Sequence, residues 1–201
     1  MLRIAVFGSG RGSNFLAILN AIQQGSIPFA SIGLVLSNNS SAGILEIARA
    51  NDIPAVHLSQ KQFSSEEEFV TALLTLLRTH NINFIVLAGF MKRIPPRIIR
   101  EYRNRMLNIH PALLPKFGGQ GMFGHHVHAA VIAAHEPVSG ATVHIVDEEY
   151  DHGRIVLQRT VPVDPGETPE TLAAKVLAIE HEIYPEAIRM VARDSASAKP
   201  V

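Results

Sequence analysis

Hydrophobic positions along the chain alternate between two patterns. Short apolar runs occupy residues 2–7, 29–36, 55–58, 84–88, 106–109 and 141–146. The first five are short and predominantly apolar, as in parallel strands that are buried on both faces of a sheet. Segments with apolar residues at helical spacing lie between several of them. This alternation predicts an α/β fold built on an open, mostly parallel sheet.

Three helices are marked by signals at their ends. An apolar stripe follows Ser13, and a second follows Ser65, which begins a capping box with an acidic first turn. The pair Thr168-Pro169 supplies a capping hydroxyl and a proline at the first helical position. We expect this last helix to run to about Ala192 and to bend or break at Pro185.

Composition limits the class of protein. The length of 201 residues, 47% of them hydrophobic, suits one domain over residues 1–192 followed by a flexible polar tail over 193–201. Basic and acidic side chains number 18 each, which argues against a general binder of nucleic acids or membrane surfaces. The absence of cysteine excludes disulfides and thiolate chemistry. No apolar stretch approaches the roughly 20 residues that cross a bilayer, and the first residues lack signal-peptide features. We therefore expect a cytoplasmic protein.

A glycine-rich loop, residues 8–14, lies between the first strand and the first helix. Because a helix N-terminus presents free N–H groups, we predict a phosphate site formed by the amides of Gly12, Ser13 and Asn14. The loop has neither the Gly-Lys-Ser/Thr ending of a P-loop nor the glycine spacing of the dinucleotide fingerprint. The alternative is a tight turn that needs glycine for its geometry alone.

The fifth run ends with a polar pair. Asn108 and His110 are two residues apart, so in a strand their side chains point to the same side. An amide donor beside an imidazole suits acyl transfer to an amine, because negative charge develops on oxygen and a proton must move. A carboxylate from the acidic loop 147–151 would favour the imidazolium form of His110. Spacing does not choose among its four acids, and the loop could equally be a solvated acidic turn.

Other histidines bear on metal binding and on the site. His125 and His128 share a helix face, but no nearby acid or cysteine completes a set of metal ligands, so we expect no metal. His144 alternates with Thr142 and Val146 and therefore either faces the site or is a structural, hydrogen-bonded histidine.

Four motifs occur in order: residues 10–14 (GRGSN), 87–91 (LAGFM), 108–115 (NIHPALLP) and the loop that contains Asp151. Together, over residues 1–192, they resemble the phosphoribosylglycinamide formyltransferase branch of the folate-dependent formyltransferase family. The resemblance implies a Rossmann-like formyltransferase fold with helices on both faces of the sheet. It also implies transfer of a formyl group from 10-formyltetrahydrofolate to the glycyl amine of 5-phosphoribosylglycinamide, in de novo purine biosynthesis.

The resemblance also implies roles for residues of this chain. The catalytic positions would be Asn108, His110 and Asp151. The N-terminal half would bind the nucleotide phosphate through Gly12, Ser13 and Asn14, with Glu180 holding the sugar hydroxyls. The C-terminal half would contribute the catalytic loop and the folate pocket. The implied folate-binding residues are Phe90, Met91, Lys92, Arg93, Ile94, Asn108, Val146, Asp147, Glu148, Glu149, Tyr150 and Asp151.

Departures from the family pattern leave alternatives open. Arg93 adds a second basic residue where a common form has an aliphatic one, and Glu66 stands where some members have an arginine. The long glycine-rich stretch 117–124 predicts a mobile loop that closes over substrate. The rival functions are a 10-formyltetrahydrofolate hydrolase, a formyltransferase acting on methionyl-tRNA or a sugar nucleotide, and a non-catalytic nucleotide-binding module. We expect no nucleic-acid or membrane partner, and a homodimer stays open.

Overall fold

A single sheet organises the part of the chain that the computed structural model describes, residues 1–197. The strands are β1 Leu2–Phe7, β2 Ala30–Ser37, β3 Ala55–His57, β4 Phe84–Leu87, β5 Met106–His110, β6 Val138–Ile145 and β7 Ile155–Pro162. The helices are α1 Ser13–Gln23, α2 Gly43–Arg49, α3 Glu66–Thr79, α4 Pro96–Glu101, α5 His125–Ala133 and α6 Pro169–Ser197. A short 3₁₀ helix spans Gln60–Gln62.

The strand order is β3-β2-β1-β4-β5-β6-β7. Strands β1 to β5 are parallel, whereas β6 pairs antiparallel with β5 and β7 antiparallel with β6. The five predominantly apolar runs are thus the parallel strands, and the prediction of an open, mostly parallel sheet is confirmed.

Helices cover both faces of the sheet, as the resemblance implied. Along β1, Ile4 and Val6 pack with α1, α2, α5 and α6, while Ala5 and Phe7 pack with α3 and α4 on the other face. Side chains alternate along a strand, so consecutive apolar residues such as 4–7 serve two cores. Within residues 1–197, no helix combines the length and the hydropathy needed to span a membrane.

The last helix differs from its prediction. It passes through Pro185 without a break and ends at Ser197, five residues beyond the expected Ala192. Ile183 and Tyr184 before the proline and Ala187 and Ile188 after it are fully buried. Their burial, at about 1.5–3 kcal/mol for each large apolar side chain, outweighs the roughly 3 kcal/mol cost of a proline inside a helix. The rest of the predicted tail, residues 198–201, lies outside the described residues.

Candidate active site

A cleft of about 830 Å³ opens where the loops after β4, β5 and β6 meet the helices α1, α5 and α6. Ligands of open α/β sheets bind outside the carboxyl ends of the strands, and this volume suits a small-molecule site. The polar and charged side chains that line it are Asn14, Lys92, Arg93, Asn108, His110, Gln120, His125, His128, His144, Asp147, Glu148, Glu149, Asp151, Glu170 and Glu180.

Asn108, His110 and Asp151 come together in this cleft. Asn108 and His110 lie on the same side of β5, and Asp151 reaches them from the loop between β6 and β7. Asn108 Nδ2 is 3.4 Å from Asp151 Oδ1, and His110 Nδ1 is 3.4 Å from Asp151 Oδ2. The chain therefore places an amide, an imidazole and a carboxylate in one cluster, and Asp151 is the acid of its loop that contacts His110.

The two ring nitrogens of His110 have different partners. Nε2 lies 2.7 Å from the carbonyl oxygen of Phe117. A carbonyl only accepts, so Nε2 carries a hydrogen and Nδ1 is the nitrogen that can gain or lose a proton. Burial lowers the pKa of His110 below its usual value, although Asp151 and the Phe117 carbonyl act in the opposite direction. The imidazole is thus neutral at neutral pH and has a carboxylate beside its free nitrogen.

Asp151 is held in its ionised form. Burial raises its pKa, but the neighbouring His110 and the backbone N–H of Gly119 act in the opposite direction, and the pKa lies below its usual value. Gly119 N donates to Asp151 Oδ2 over 3.0 Å. Gly118 makes this approach feasible, because a Cβ there would lie 3.1 Å from Asp151 Cβ and 2.5 Å from Leu114 Cδ2.

A second polar contact lies in another part of the cleft. Asn14 Nδ2 donates to Glu180 Oε2 over 2.7 Å, and both side chains are buried. Burial raises the pKa of Glu180 to about 7, although the hydrogen bond from Asn14 acts in the opposite direction. Asn14 Oδ1 is buried and has no hydrogen-bond partner within residues 1–197. A ligand hydroxyl could form hydrogen bonds with both Asn14 Oδ1 and the Glu180 carboxyl group.

The glycine-rich loop ends in a left-handed turn. Gly12 has φ 86° at the N-cap of α1, and a Cβ there would lie 2.8 Å from Ile44 Cα. Only glycine avoids both the strain and the clash, and the turn leaves the first amides of α1 without helical partners. The cleft is lined by Asn14 but not by Gly12 or Ser13. The glycine turn is thus formed, the cleft adjoins only the last of the three residues, and phosphate binding there stays a prediction.

All residues expected to bind folate line the cleft. They form two walls, residues 90–94 and 146–151; one contact joins these walls, and a second links the 146–151 wall to helix α4. The Arg93 guanidinium carbon lies 5.6 Å from the centroid of the Tyr150 ring, and Arg100 Nη1 lies 3.7 Å from Glu148 Oε2. Arg93, which the family pattern left unexplained, therefore has a partner in the opposite wall. Glu66 is exposed at the start of α3 and does not line the cleft.

Comparison with known proteins places this arrangement in a family. Residues 2–188 match the formyl transferase family model. The chain belongs to the formyl transferase family. This membership confirms the family resemblance carried by the four motifs.

Three relatives of this formyl transferase have names that state the same activity. A chloroplastic phosphoribosylglycinamide formyltransferase of Vigna unguiculata is 41% identical over 192 residues, which are 96% of this chain and 61% of that protein. Glycinamide ribonucleotide transformylase 1 of Symbiobacterium toebii has a solved structure with a TM-score of 0.90 and 38% identity, covering 96% of this chain and 89% of that one. Phosphoribosylglycinamide formyltransferase of Brucella melitensis has a TM-score of 0.87 and 39% identity, covering 100% of this chain and 98% of that one. These solved structures confirm the predicted fold. The chain spans 61% of the length of the plant relative.

Two buried histidines that line the cleft of this formyl transferase were not among the predicted site residues. His144 lies opposite Asn108 in the β5–β6 ladder, with Nε2 3.1 Å from Asn108 Nδ2. Its alternation with Thr142 and Val146 was the signal for it. His128 is buried in the cleft wall with Nδ1 unpartnered in the described structure, and burial lowers its pKa. Within residues 1–197, no three His, Cys, Asp or Glu side chains are arranged to hold a metal ion.

Proposed function

We propose that this chain transfers the formyl group of 10-formyltetrahydrofolate to the glycyl amine of 5-phosphoribosylglycinamide, giving formylglycinamide ribonucleotide and tetrahydrofolate in de novo purine biosynthesis. One observation carries the proposal: Asn108 and His110 each lie 3.4 Å from Asp151 in a cleft of about 830 Å³. The names of the plant and bacterial relatives support the choice of substrates.

The two substrates divide the cleft between them in this proposal. The phosphate binds the amides of Gly12, Ser13 and Asn14, where the unpaired N–H groups and the helix dipole favour an anion. Glu180, paired with Asn14, takes the sugar hydroxyls. The folate lies between residues 90–94 and 146–151. These walls suit it because they combine the partly buried aromatic ring of Phe90 with backbone groups and a cationic rim.

Each of the three clustered side chains has a separate task. The folate supplies an electrophilic formyl carbon, and the amine forms its C–N bond as the bond to the folate nitrogen breaks. Asn108 donates an N–H to the formyl oxygen. Removal of a single such donor typically lowers kcat by about 10²–10³-fold. His110 takes the amine proton at Nδ1, the ring nitrogen that Phe117 leaves free, and returns it to the leaving nitrogen. Asp151 stabilises the imidazolium that forms.

The first experiment separates the proposal from hydrolysis. The protein is mixed with 10-formyltetrahydrofolate, and the absorbance of the deformylated folate is followed with and without 5-phosphoribosylglycinamide. Turnover that requires the ribonucleotide supports the transferase. Deformylation without it would move the assignment to a hydrolase, and a folded sample inactive in both mixtures would favour a nucleotide-binding module.

The second experiment tests the residues. Asn108→Ala, His110→Ala and Asp151→Asn should each lower kcat by about 10²-fold or more, since each removes a group that acts in the transition state. His135→Asn is the matched control, because His135 is exposed beyond the end of α5 and its φ of 52° is one that asparagine tolerates. Three folded variants with near wild-type turnover would overturn the assignment. A cytoplasmic location and a homodimer stay predictions.

A further inference from the structure

His144 touches two members of the cluster through one ring nitrogen. It pairs directly with Asn108 across the antiparallel strands β5 and β6, and only 2% of its surface is exposed. Nε2 lies 3.1 Å from Asn108 Nδ2 and 3.5 Å from Asp151 Oδ1. The proposed function assigns no task to this buried imidazole.

The backbone determines which nitrogen of His144 carries the hydrogen. Nδ1 lies 3.1 Å from the carbonyl oxygen of Ile145, which can only accept, so Nδ1 is the donor. In a neutral imidazole the other nitrogen, Nε2, is then an acceptor. Asn108 must turn its NH₂ group toward Nε2, because the opposite orientation would bring two acceptors together.

We propose that His144 is a positioning residue that fixes the orientation of the Asn108 amide, so that an N–H and not the carbonyl oxygen faces the formyl oxygen. The inference rests on the proposed function. His144 holds one N–H of Asn108 at 3.1 Å. The other N–H makes only a 3.4 Å contact with Asp151 Oδ1, beyond the usual range of about 2.7–3.2 Å, and is therefore the one available to substrate. Without His144 the side-chain amide of Asn108 is free to flip. Its oxygen would then face the formyl oxygen and repel the negative charge that develops there.

Two substitutions separate this role from packing. The amide of His144→Gln reaches the position of Nε2 and restores an acceptor, whereas that of His144→Asn reaches only the position of Nδ1. We expect His144→Asn to lower kcat by about 10- to 100-fold, because the Asn108 N–H no longer points at the formyl oxygen in the transition state. The KM values for the folate donor and for the ribonucleotide should change little. His144→Gln should stay within about threefold of wild type. Wild-type kcat in His144→Asn would overturn the proposal, as would equal losses in both variants together with a lower Tm.

A double-variant cycle tests whether the effect passes through Asn108. In an Asn108→Ala background, His144→Asn should cause no further loss of kcat, because the donor that it orients is already absent. Two independent, additive losses would show that His144 acts elsewhere.

A spectroscopic readout does not depend on turnover. The side-chain ¹H–¹⁵N signals of Asn108, assigned by their loss in Asn108→Ala, should show two separate, slowly exchanging protons in wild type and in His144→Gln. They should lose that protection in His144→Asn. If wild type lacks ribonucleotide-dependent turnover but shows this pattern, the proposed function fails and the positioning contact stands. Unchanged Asn108 signals in His144→Asn would overturn the positioning role itself.

Discussion

Asn14 and Glu180 are 166 positions apart in the chain, yet their side chains share a buried hydrogen bond of 2.7 Å. Asn14 lies in the first turn of α1 and Glu180 in the middle of α6, and these helices pack on the same face of the sheet. Glu180 is 7% exposed. Its ionised form is disfavoured because a single neutral amide replaces the water that a carboxylate would otherwise bind.

The first prediction concerns pH and stability. Burial raises the pKa of Glu180 from 4.5 to about 7, so between these values the folded chain holds a proton that the unfolded chain has lost. The contribution of Glu180 to the free energy of unfolding should therefore fall as the pH rises through this window, by on the order of 3 kcal/mol. Glu180→Gln stays neutral and should remove that decline. Urea unfolding at a series of pH values measures it.

The contribution of Glu180 is given by the difference in the free energy of unfolding between wild type and Glu180→Gln at each pH. Burial lowers the pKa values of His110 and His128, and their contributions to stability rise with pH, opposite in sign to that of Glu180. Glu46→Gln, an exposed carboxyl on α2, is the matched control and should leave the pH dependence unchanged. Parallel pH profiles for wild type and Glu180→Gln would mean that Glu180 ionises as freely when folded as when unfolded.

The second prediction concerns the backbone beside Asp151. In Gly118→Ala the new Cβ would lie 3.1 Å from Asp151 Cβ and 2.5 Å from Leu114 Cδ2, so Leu114 and Asp151, which accepts from the Gly119 N–H, must move. We expect kcat to fall by about tenfold or more, because small displacements of reacting groups are costly. Overpacking should also lower stability by about 1–3 kcal/mol. Steady-state kinetics and thermal unfolding measure the two effects.

Gly33→Ala is the matched control for crowding alone. Its Cβ would lie 2.9 Å from Arg3 Nε and 2.9 Å from Ile82 Cδ1, and none of these residues lines the cleft. The control should lose stability and keep its kcat. If Gly118→Ala also keeps wild-type kcat, the contact between the loop and Asp151 has no part in turnover.

The fold was predictable where burial leaves a simple pattern. Strand β1 has its predicted bounds, Leu2–Phe7, because every residue except the exposed Arg3 is apolar and buried, on both faces of the sheet. Strand β7 was missed because it is an edge strand with several exposed positions, and its polar Gln158 and Arg159 interrupt the signal. Helix α2 was missed because it has only seven residues and no side-chain cap. Short or exposed elements depend on tertiary contacts that a local pattern does not record.

The site was predictable to the extent that it is local. The alternation of Asn108 and His110 follows from strand geometry, whereas spacing left four acids open and only the family resemblance singled out Asp151. The acceptor role of His144 Nε2 depends on a hydrogen bond to the Ile145 carbonyl, which requires coordinates. The Asn14–Glu180 contact joins the two ends of the chain, and no local pattern signals it.

The third prediction concerns the contact across the folate walls. Removing the Arg93 guanidinium from the Tyr150 ring should raise the KM for the folate donor by about two- to fivefold, since an exposed cation–π contact contributes about 0.5–1 kcal/mol. The kcat should not change. Tyr150→Phe keeps the ring and should behave as wild type, while Arg97→Ala, an exposed cation on α4, controls for the loss of charge. Equal effects of Arg93→Ala and Arg97→Ala would indicate long-range electrostatics and not a contact.

The last prediction concerns Ser9, which joins the glycine-rich loop to the folate wall. Its hydroxyl oxygen accepts a hydrogen bond from Met91 N over 2.8 Å and donates to Asn38 Oδ1 over 2.5 Å. Ser9 N donates to the carbonyl oxygen of Gly89. Although Ser9 belongs to the loop assigned to the phosphate, its side chain thus holds the segment assigned to the folate.

Ser9→Ala should therefore weaken folate binding more than ribonucleotide binding. Loss of a hydrogen bond that contributes about 0.5–1.5 kcal/mol predicts that the KM for the folate donor rises by about two- to tenfold. Ser9→Thr keeps the hydroxyl and should restore the wild-type value. Steady-state kinetics with each substrate varied in turn distinguishes the assignments. If the KM for the ribonucleotide rises and that for the folate does not, the Ser9 hydroxyl serves the phosphate and the link to Met91 is incidental.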